Sequence, residues 1–151
     1  MLTDESPTPQ ALSRFYLEVE YTRRVPAGGQ PRVLRVGILD GAPCMVLRDL
    51  GQTTLAQQLQ TRRLRLEEAL TIAVRLTRAL AEIHQLGIVH KDINPDNIVL
   101  SADGAEPAII DFGIATELAR ELPERRVYHL VGSLPYISPE QTGRTNRLLD
   151  Q

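Results

Sequence analysis

"HKDINPDNIVL", residues 90–100, contains Lys91, the one lysine of a 151-residue chain, so sixteen of its 17 Lys and Arg residues (17 − 1) are arginines. The stretch sets His90, Asp92 and Asn97 within eight positions and runs into Ile98-Val99-Leu100. That apolar run is too short for a helix and rich in β-branched residues, which predicts a strand. A second such run, "PAIIDF" (107–112), leads into Asp111-Phe112-Gly113, and "GSLPYISPE" (132–140) ends in Ser138-Pro139-Glu140. Each pattern alone has a plain structural reading. An Asp-Phe-Gly is commonly a turn after a strand, and a His beside an Asp is commonly a satisfied pair. Three of them in this order ask for a common explanation.

Upstream, the chain reads as alternating elements. "ALSRFYLEVEYTRR" (11–24) is predicted helical, with Leu12, Phe15, Val19 and Tyr16 on one face. "RVLRVGILDGAPCMVLRDL" (32–50) reads as two strands around Asp40-Gly41, a hairpin signal. "TTLAQQLQ" (53–60) is a short helix capped by Thr53 or Thr54. The strongest element is 67–86, where Leu70, Ala73, Val74, Leu76, Leu80, Ile83 and Leu86 recur at helical spacing. Glu67 and Glu68 suit its N-terminal dipole and Gly87 its end. Residues 1–9, with Pro7 and Pro9, read as an irregular lead-in, and 116–151 as loop. The order of elements is an α+β pattern.

Composition narrows the partners. A net charge of −2 says little about partners, but the lack of a basic, aromatic-interleaved patch argues against nucleic acid. No apolar stretch reaches the roughly 20 residues of a membrane helix, and the acidic, Pro-rich N-terminus is no signal peptide. Cys44, the single cysteine, excludes an internal disulfide and fits a reducing, cytoplasmic setting. Lying in "PCMVL", it reads as a buried small hydrophobe.

Taken together, His90-x-Asp92-x-x-x-x-Asn97, Asp111-Phe112-Gly113 and Ser138-Pro139-Glu140, behind a long amphipathic helix, resemble the catalytic half of the protein kinase family. "HKDINPDNIV" and "PYISPEQTGRTNR" are most similar to the serine/threonine kinase-like domain at the N-terminus of large bacterial hybrid sensor proteins, in which AAA-type ATPase, GAF and sensor histidine kinase modules follow. The resemblance runs from about Leu2 to Asp150 and implies ATP, magnesium and a protein substrate. It implies that Asp92 orients the attacking hydroxyl, while Asn97 and Asp111 hold the metal through hard oxygen donors. His90 would brace the loop. Lys91 fills a slot where many kinases carry an arginine that can hold a phosphorylated residue. Ser133 would steady the catalytic aspartate. Glu18 would match the helix glutamate that pairs with the ATP-contacting lysine, with Glu20 the weaker candidate. Leu47 would guard the adenine pocket, the backbones of Arg48 and Leu50 would contact adenine, and Val99 and Ile110 would line the pocket. Thr116, Tyr128 and Ser133 are available hydroxyls.

The departures matter as much. No lysine precedes Glu18, and there is no G-x-G-x-x-G loop; Gly28-Gly29 reads as a turn. Asn94 stands where many serine/threonine kinases have a phosphate-contacting lysine. The arginine that usually pairs with Glu140 is expected beyond Gln151. The expectation is therefore an incomplete kinase-like bilobal fold, with 1–50 as a partial N-lobe and 51–151 as a partial C-lobe, the central portion of a serine/threonine protein kinase. The chain alone is expected to be inactive, to pack poorly, and to belong to a larger signalling protein. The rival is a non-catalytic, pseudokinase-like regulatory or scaffold piece. A small-molecule kinase of the aminoglycoside phosphotransferase type shares H-x-D-x-x-x-x-N but is disfavoured by "GSLPYISPE", which shapes a protein-substrate docking turn.

Overall fold

Helix α1 spans Pro9–Arg24, two residues longer at its start than its periodicity predicts. Thr8 makes the difference: its Oγ1 accepts from Ala11 N at 3.2 Å, and Pro9 occupies the first turn, where a missing N–H leaves nothing unpaired. The computed structural model describes residues 7–26, 31–49, 51, 53–101, 106–117, 132–139 and 141. Expectations about the lead-in at 1–6, Gly28-Gly29, Leu50, Tyr128 and Glu140 fall outside them. The buried face of α1 overlaps the expected one: Val19 is buried, and Leu12 and Phe15 are half-buried. Tyr16 is exposed, while Leu17, Tyr21 and, just past the helix, Val25 turn toward the core at four-residue spacing.

Strands β1 (Val33–Leu39) and β2 (Ala42–Leu47) pair antiparallel about Asp40-Gly41. Both turn residues take positive φ (50° and 80°), which a two-residue type I′ hairpin requires and which Asp-Gly supplies cheaply. Cys44 is half-buried here, not enclosed, because this two-stranded ribbon has little behind it among the described residues. A two-residue strand β3 (Thr53–Thr54) leads into helix α2 (Leu55–Thr61). Thr54 and Gln57 close the reciprocal cap: Gln57 N donates to Thr54 Oγ1 at 3.2 Å and Thr54 N to Gln57 Oε1 at 2.9 Å.

Helix α3 spans Leu66–Gln85. Its first turn is closed by Glu68, which accepts from Arg65 N at 2.8 Å and takes both guanidinium nitrogens of Arg62, at 2.9 and 3.1 Å. Those donors hold the Glu68 carboxyl down at about 2, Arg62 first and the Arg65 amide second. Gly87, at φ 72°, ends the helix and donates to His84 O at 2.8 Å. Ile72, Ala79 and Ile83 are buried, with Leu76, Leu80 and Leu86 packed beside them. Leu66, Leu70 and Val74 are exposed, so the helix carries a second apolar stripe and part of the predicted face looks outward. Leucines of α3 are thus exposed, whereas its isoleucines, Ile72 and Ile83, are buried.

Beyond α3 come β4 (Ile88–Val89), β5 (Ile98–Leu100), β6 (Pro107–Ile109) and β7 (Thr116–Glu117). Sheet order is β3-β5-β6, antiparallel throughout, with β4 and β7 forming a separate pair. The strand at 116–117, read as loop from the sequence, exists because Ile88 and Val89 lie opposite it. One apolar cluster gathers Tyr21, Ile83, Ile88, Ile109 and Phe112; a second gathers Leu55, Ile72, Ile98 and Leu100. Among the described residues no helix is long and apolar enough to cross a membrane.

Candidate active site

The loop between β4 and β5 is built around side chains that bind its own backbone. Asn94 begins a 3-10 turn, Pro95–Asn97, by accepting at Oδ1 from Asp96 N at 2.8 Å and Asn97 N at 3.2 Å. His90, 1% exposed, sits behind the loop with its ring edge-on to Phe112 at 4.9 Å between centroids. Its Nδ1 accepts from Asp92 N at 3.3 Å, which leaves Nε2 to donate to Ile110 O at 3.1 Å. Both ring nitrogens are thus used on backbone, so His90 braces the loop and has no site from which to move a proton to a ligand.

Burial pushes the His90 pKa below the ordinary imidazole value, against the Ile110 carbonyl and the carboxylates of Asp111 and Asp92. A group depressed in the folded state favours folding above its unfolded pKa, about 6.5, and the advantage is lost as pH falls from there toward the folded pKa. The denaturant midpoint should therefore drop on acidification below about pH 6.5. A His90→Gln variant should lack that share of the drop; an unchanged profile would place the neutral ring's role elsewhere.

Asp92 is held on both oxygens. Ser133 N donates to Oδ1 at 2.8 Å and Asn97 Nδ2 to Oδ2 at 2.9 Å, with Nδ2 also reaching the Asp92 carbonyl at 3.0 Å. Burial alone would raise this carboxyl, but hydrogen bonds from the Ser133 backbone and side chain, Asn94 and Asn97 hold it below the usual value, as an ionised acceptor.

Asn97 and Asp111 end adjacent strands. β5 and β6 pair Ile98 with Ile109, and Ile110 N continues the ladder to Asn97 O at 3.0 Å. Asp111 takes φ 65°, and its Oδ1 accepts from Gly113 N at 3.1 Å. The side chain of Asn97, a residue 8% exposed, donates through Nδ2, and its Oδ1 accepts nothing among the described residues. An unengaged amide oxygen and an exposed carboxylate are hard donors of the kind a magnesium ion takes. No three His, Cys, Asp or Glu side chains converge among the described residues.

Glu18 approaches the same place from α1. A Cβ built on Gly113 would lie 3.0 Å from Asp111 Oδ1 and 3.8 Å from Glu18 Oε2. Burial, and then the Asp111 charge, raise the Glu18 carboxyl above its ordinary value. No cation pairs with it among the described residues, and Lys91 lies elsewhere, in the loop, at φ 68° with its carbonyl accepting from Gln141 Nε2 at 2.8 Å. Leu47, the last residue of β2, and Val99, in the middle of the central strand β5, are half-buried. Arg48 is exposed, and its N donates to Arg32 O at 2.8 Å. Ile110 is half-buried beside Asn97, and Leu50 lies outside the described residues. Sequence reading missed Gln141, whose Oε1 accepts from Ser138 N at 3.2 Å and Ser138 Oγ at 3.1 Å. It also missed what Asn94 does, although an Asn before Pro at the head of a short turn is a capping signal.

The sequence model of the family described as "Protein kinase domain" matches residues 33–150. Among curated proteins, the chain is 37% identical over 130 residues to the probable serine/threonine-protein kinase PkwA of Thermomonospora curvata, covering 85% of this chain and 17% of that protein. It is 38% identical over 78 residues to the serine/threonine-protein kinase PAK mbt of Drosophila melanogaster, covering 52% of this chain and 12% of the relative. Against the serine/threonine-protein kinases drp72 of Corynebacterium efficiens it is 41% identical over 75 residues, covering 50% and 14%. The chain thus spans less than a fifth of the length of each of these relatives.

Proposed function

The chain belongs to the protein kinase family, and from that premise we propose that it forms the catalytic centre of a serine/threonine protein kinase which transfers the terminal phosphoryl group of ATP to protein hydroxyls. The observation that carries this is the two-sided grip on Asp92 by Ser133 N and Asn97 Nδ2. Phosphoryl transfer asks the protein for positioning and for relief of spreading negative charge, with little covalent chemistry. A carboxylate kept ionised and fixed in direction can orient a substrate hydroxyl and take up its proton. Asn97 and Asp111 would hold magnesium, which when bound neutralises phosphate charge. Leu47, Val99 and Ile110 would offer apolar contact to the adenine, with the backbones of Arg48 and Leu50 at its edge. The mixed helix-and-strand fold suits part of a bilobal kinase. By its resemblance to hybrid sensors, the chain would work beside further domains of a cytoplasmic signalling protein.

One observation favours a second, non-catalytic reading. Glu18 faces Asp111 with no cation of the described residues between them, and the sequence has no lysine other than Lys91 to clamp phosphates. A labelling assay separates the two. The full-length protein that contains this chain should transfer labelled phosphate to serine or threonine of a protein acceptor, and Asp92→Ala should abolish transfer. The 151-residue chain alone should give no transfer above its Asp92→Ala control. Absence of transfer from the full-length protein would establish the non-catalytic reading.

A further inference from the structure

Asn94 is 3% exposed, and its amide is saturated. Oδ1 takes two backbone N–H groups, those of Asp96 and Asn97. Nδ2 donates to the Asp92 carbonyl at 3.2 Å and the Ser133 hydroxyl at 2.9 Å, and also reaches the Asp92 carboxylate. An amide group offers two donors and two lone pairs, and here all four are engaged. The accepting half does local work, starting the turn that carries Asn97. The donating half does something that local structure does not need: it fastens residue 133 to the loop 39 positions earlier. Ser133 is the residue whose N–H grips Asp92 Oδ1.

We propose that Asn94 is a positioning residue for the catalytic carboxylate, acting through Ser133: by holding the Asp92 carbonyl and the Ser133 hydroxyl at once, it fixes the Ser133 N–H on Asp92 Oδ1. The proposal rests on the kinase reading for the word catalytic, but its geometry does not. A buried, neutral and fully engaged amide has no donor left for a ligand, so this position builds the site without touching a phosphate. The link is uncharged, and it works through groups that do not titrate near neutrality.

Two roles of one side chain can be separated by substitution. Asn94→Asp keeps an oxygen to cap the turn but removes both donors and sets an oxygen against Asp92 O and Ser133 Oγ. Amide hydrogen exchange, read residue by residue by NMR on the whole chain, is the measurement. In Asn94→Asp the Ser133 amide should lose protection by about tenfold or more. The Asp96 and Asn97 amides and those of β5 and β6 should keep theirs. Equal protection of Ser133 in wild type and Asn94→Asp would overturn the proposal and leave Asn94 a turn cap only. Should Asn94→Asp lower protection everywhere, Ser133→Ala decides. That variant spares the cap and removes only the hydroxyl, so the Asn94 side-chain amide protons should shift and exchange faster; unchanged Asn94 side-chain signals would equally overturn it. Neither readout requires phosphoryl transfer. If the full-length protein is inactive while these outcomes hold, the kinase reading fails and the positioning geometry stands. If it is active, Asn94→Asp should lower kcat with little change in the KM for ATP.

Discussion

Gly51→Ala should destabilise the fold by about 3 kcal/mol or more, far beyond what a loop substitution ordinarily costs. Gly51 sits at φ 151°, a conformation that L side chains rarely adopt. Its own amide is fixed, donating to Asp49 Oδ1 at 3.0 Å. A Cβ there would lie 2.0 Å from Leu100 O, 3.0 Å from Leu100 C and 3.3 Å from Ser101 Cα. All three are backbone atoms, and none can rotate aside. Relief requires moving the end of β5, which carries the Thr53–Leu100 pairing with β3. Gly41→Ala provides the control. Gly41 has φ 80° with nothing within 4 Å of a built Cβ, so its cost is conformational, on the order of 1 kcal/mol. Urea unfolding of the two variants should separate them clearly. Equal midpoints would mean that the Gly51–Leu100 approach is not a constraint on the fold.

Phe112→Ala should cost roughly 3–5 kcal/mol, the range for truncating a buried aromatic ring. Phe112 is 1% exposed, belongs to the cluster with Tyr21, Ile83 and Ile109, and supports the ring of His90. The loss is therefore twofold: apolar burial and the wall against which His90 stands. With His90 released, its bonds to Asp92 N and Ile110 O weaken, and the loop carrying Asp92 should loosen beyond the general loss of stability. Phe112→Leu keeps most of the volume and should cost less than about 1.5 kcal/mol. Chemical denaturation ranks the two variants, and exchange at the Asp92 amide reports the loop. A Phe112→Ala protein as stable as Phe112→Leu would show that the aromatic ring is dispensable to this core.

Where a residue's partners were close in sequence, the chain could be read directly. Asp40-Gly41 announced its hairpin because the turn needs positive φ at two positions and these residues supply it. The Thr53-Thr54 pair announced a capped α2, although not which threonine caps it; the structure gives the cap to Thr54, whose partner, Gln57, is three residues on. Helix α3 was legible as a helix, but not the side it buries. Ile72, Ala79 and Ile83 form one apolar stripe, Leu66, Leu70 and Val74 another, and periodicity cannot choose between two stripes on one cylinder. Tyr16 failed for a related reason, since the amphipathic ring fits either water or core. β7 was invisible: two residues have no period, and the partner that makes them a strand is at Ile88-Val89. At the site, the resemblance to kinases implied that Asp92, Asn97 and Ser133 belong together. The saturation of Asn94 could not be anticipated, because half of it depends on Ser133, and no local rule links those positions.

The attachment of the segment at 132–139 has a consequence for how long the site exists in any one molecule. None of its described side chains is buried, so it adds no apolar weight to either cluster. It is fastened to the Asp92 loop by hydrogen bonds that include those from Ser133 N, Asn94 Nδ2 and Gln141 Nε2. Bonds of this sort contribute about 1 kcal/mol each, and the strands and α3 draw on much larger apolar burial. The segment should therefore detach in sub-global openings while β5, β6 and α3 remain intact. Folded and competent are then different populations. Heating or denaturant should unmake the grip on Asp92 before it unfolds the chain, and any ligand that prefers the closed arrangement should raise the competent fraction without changing the fold.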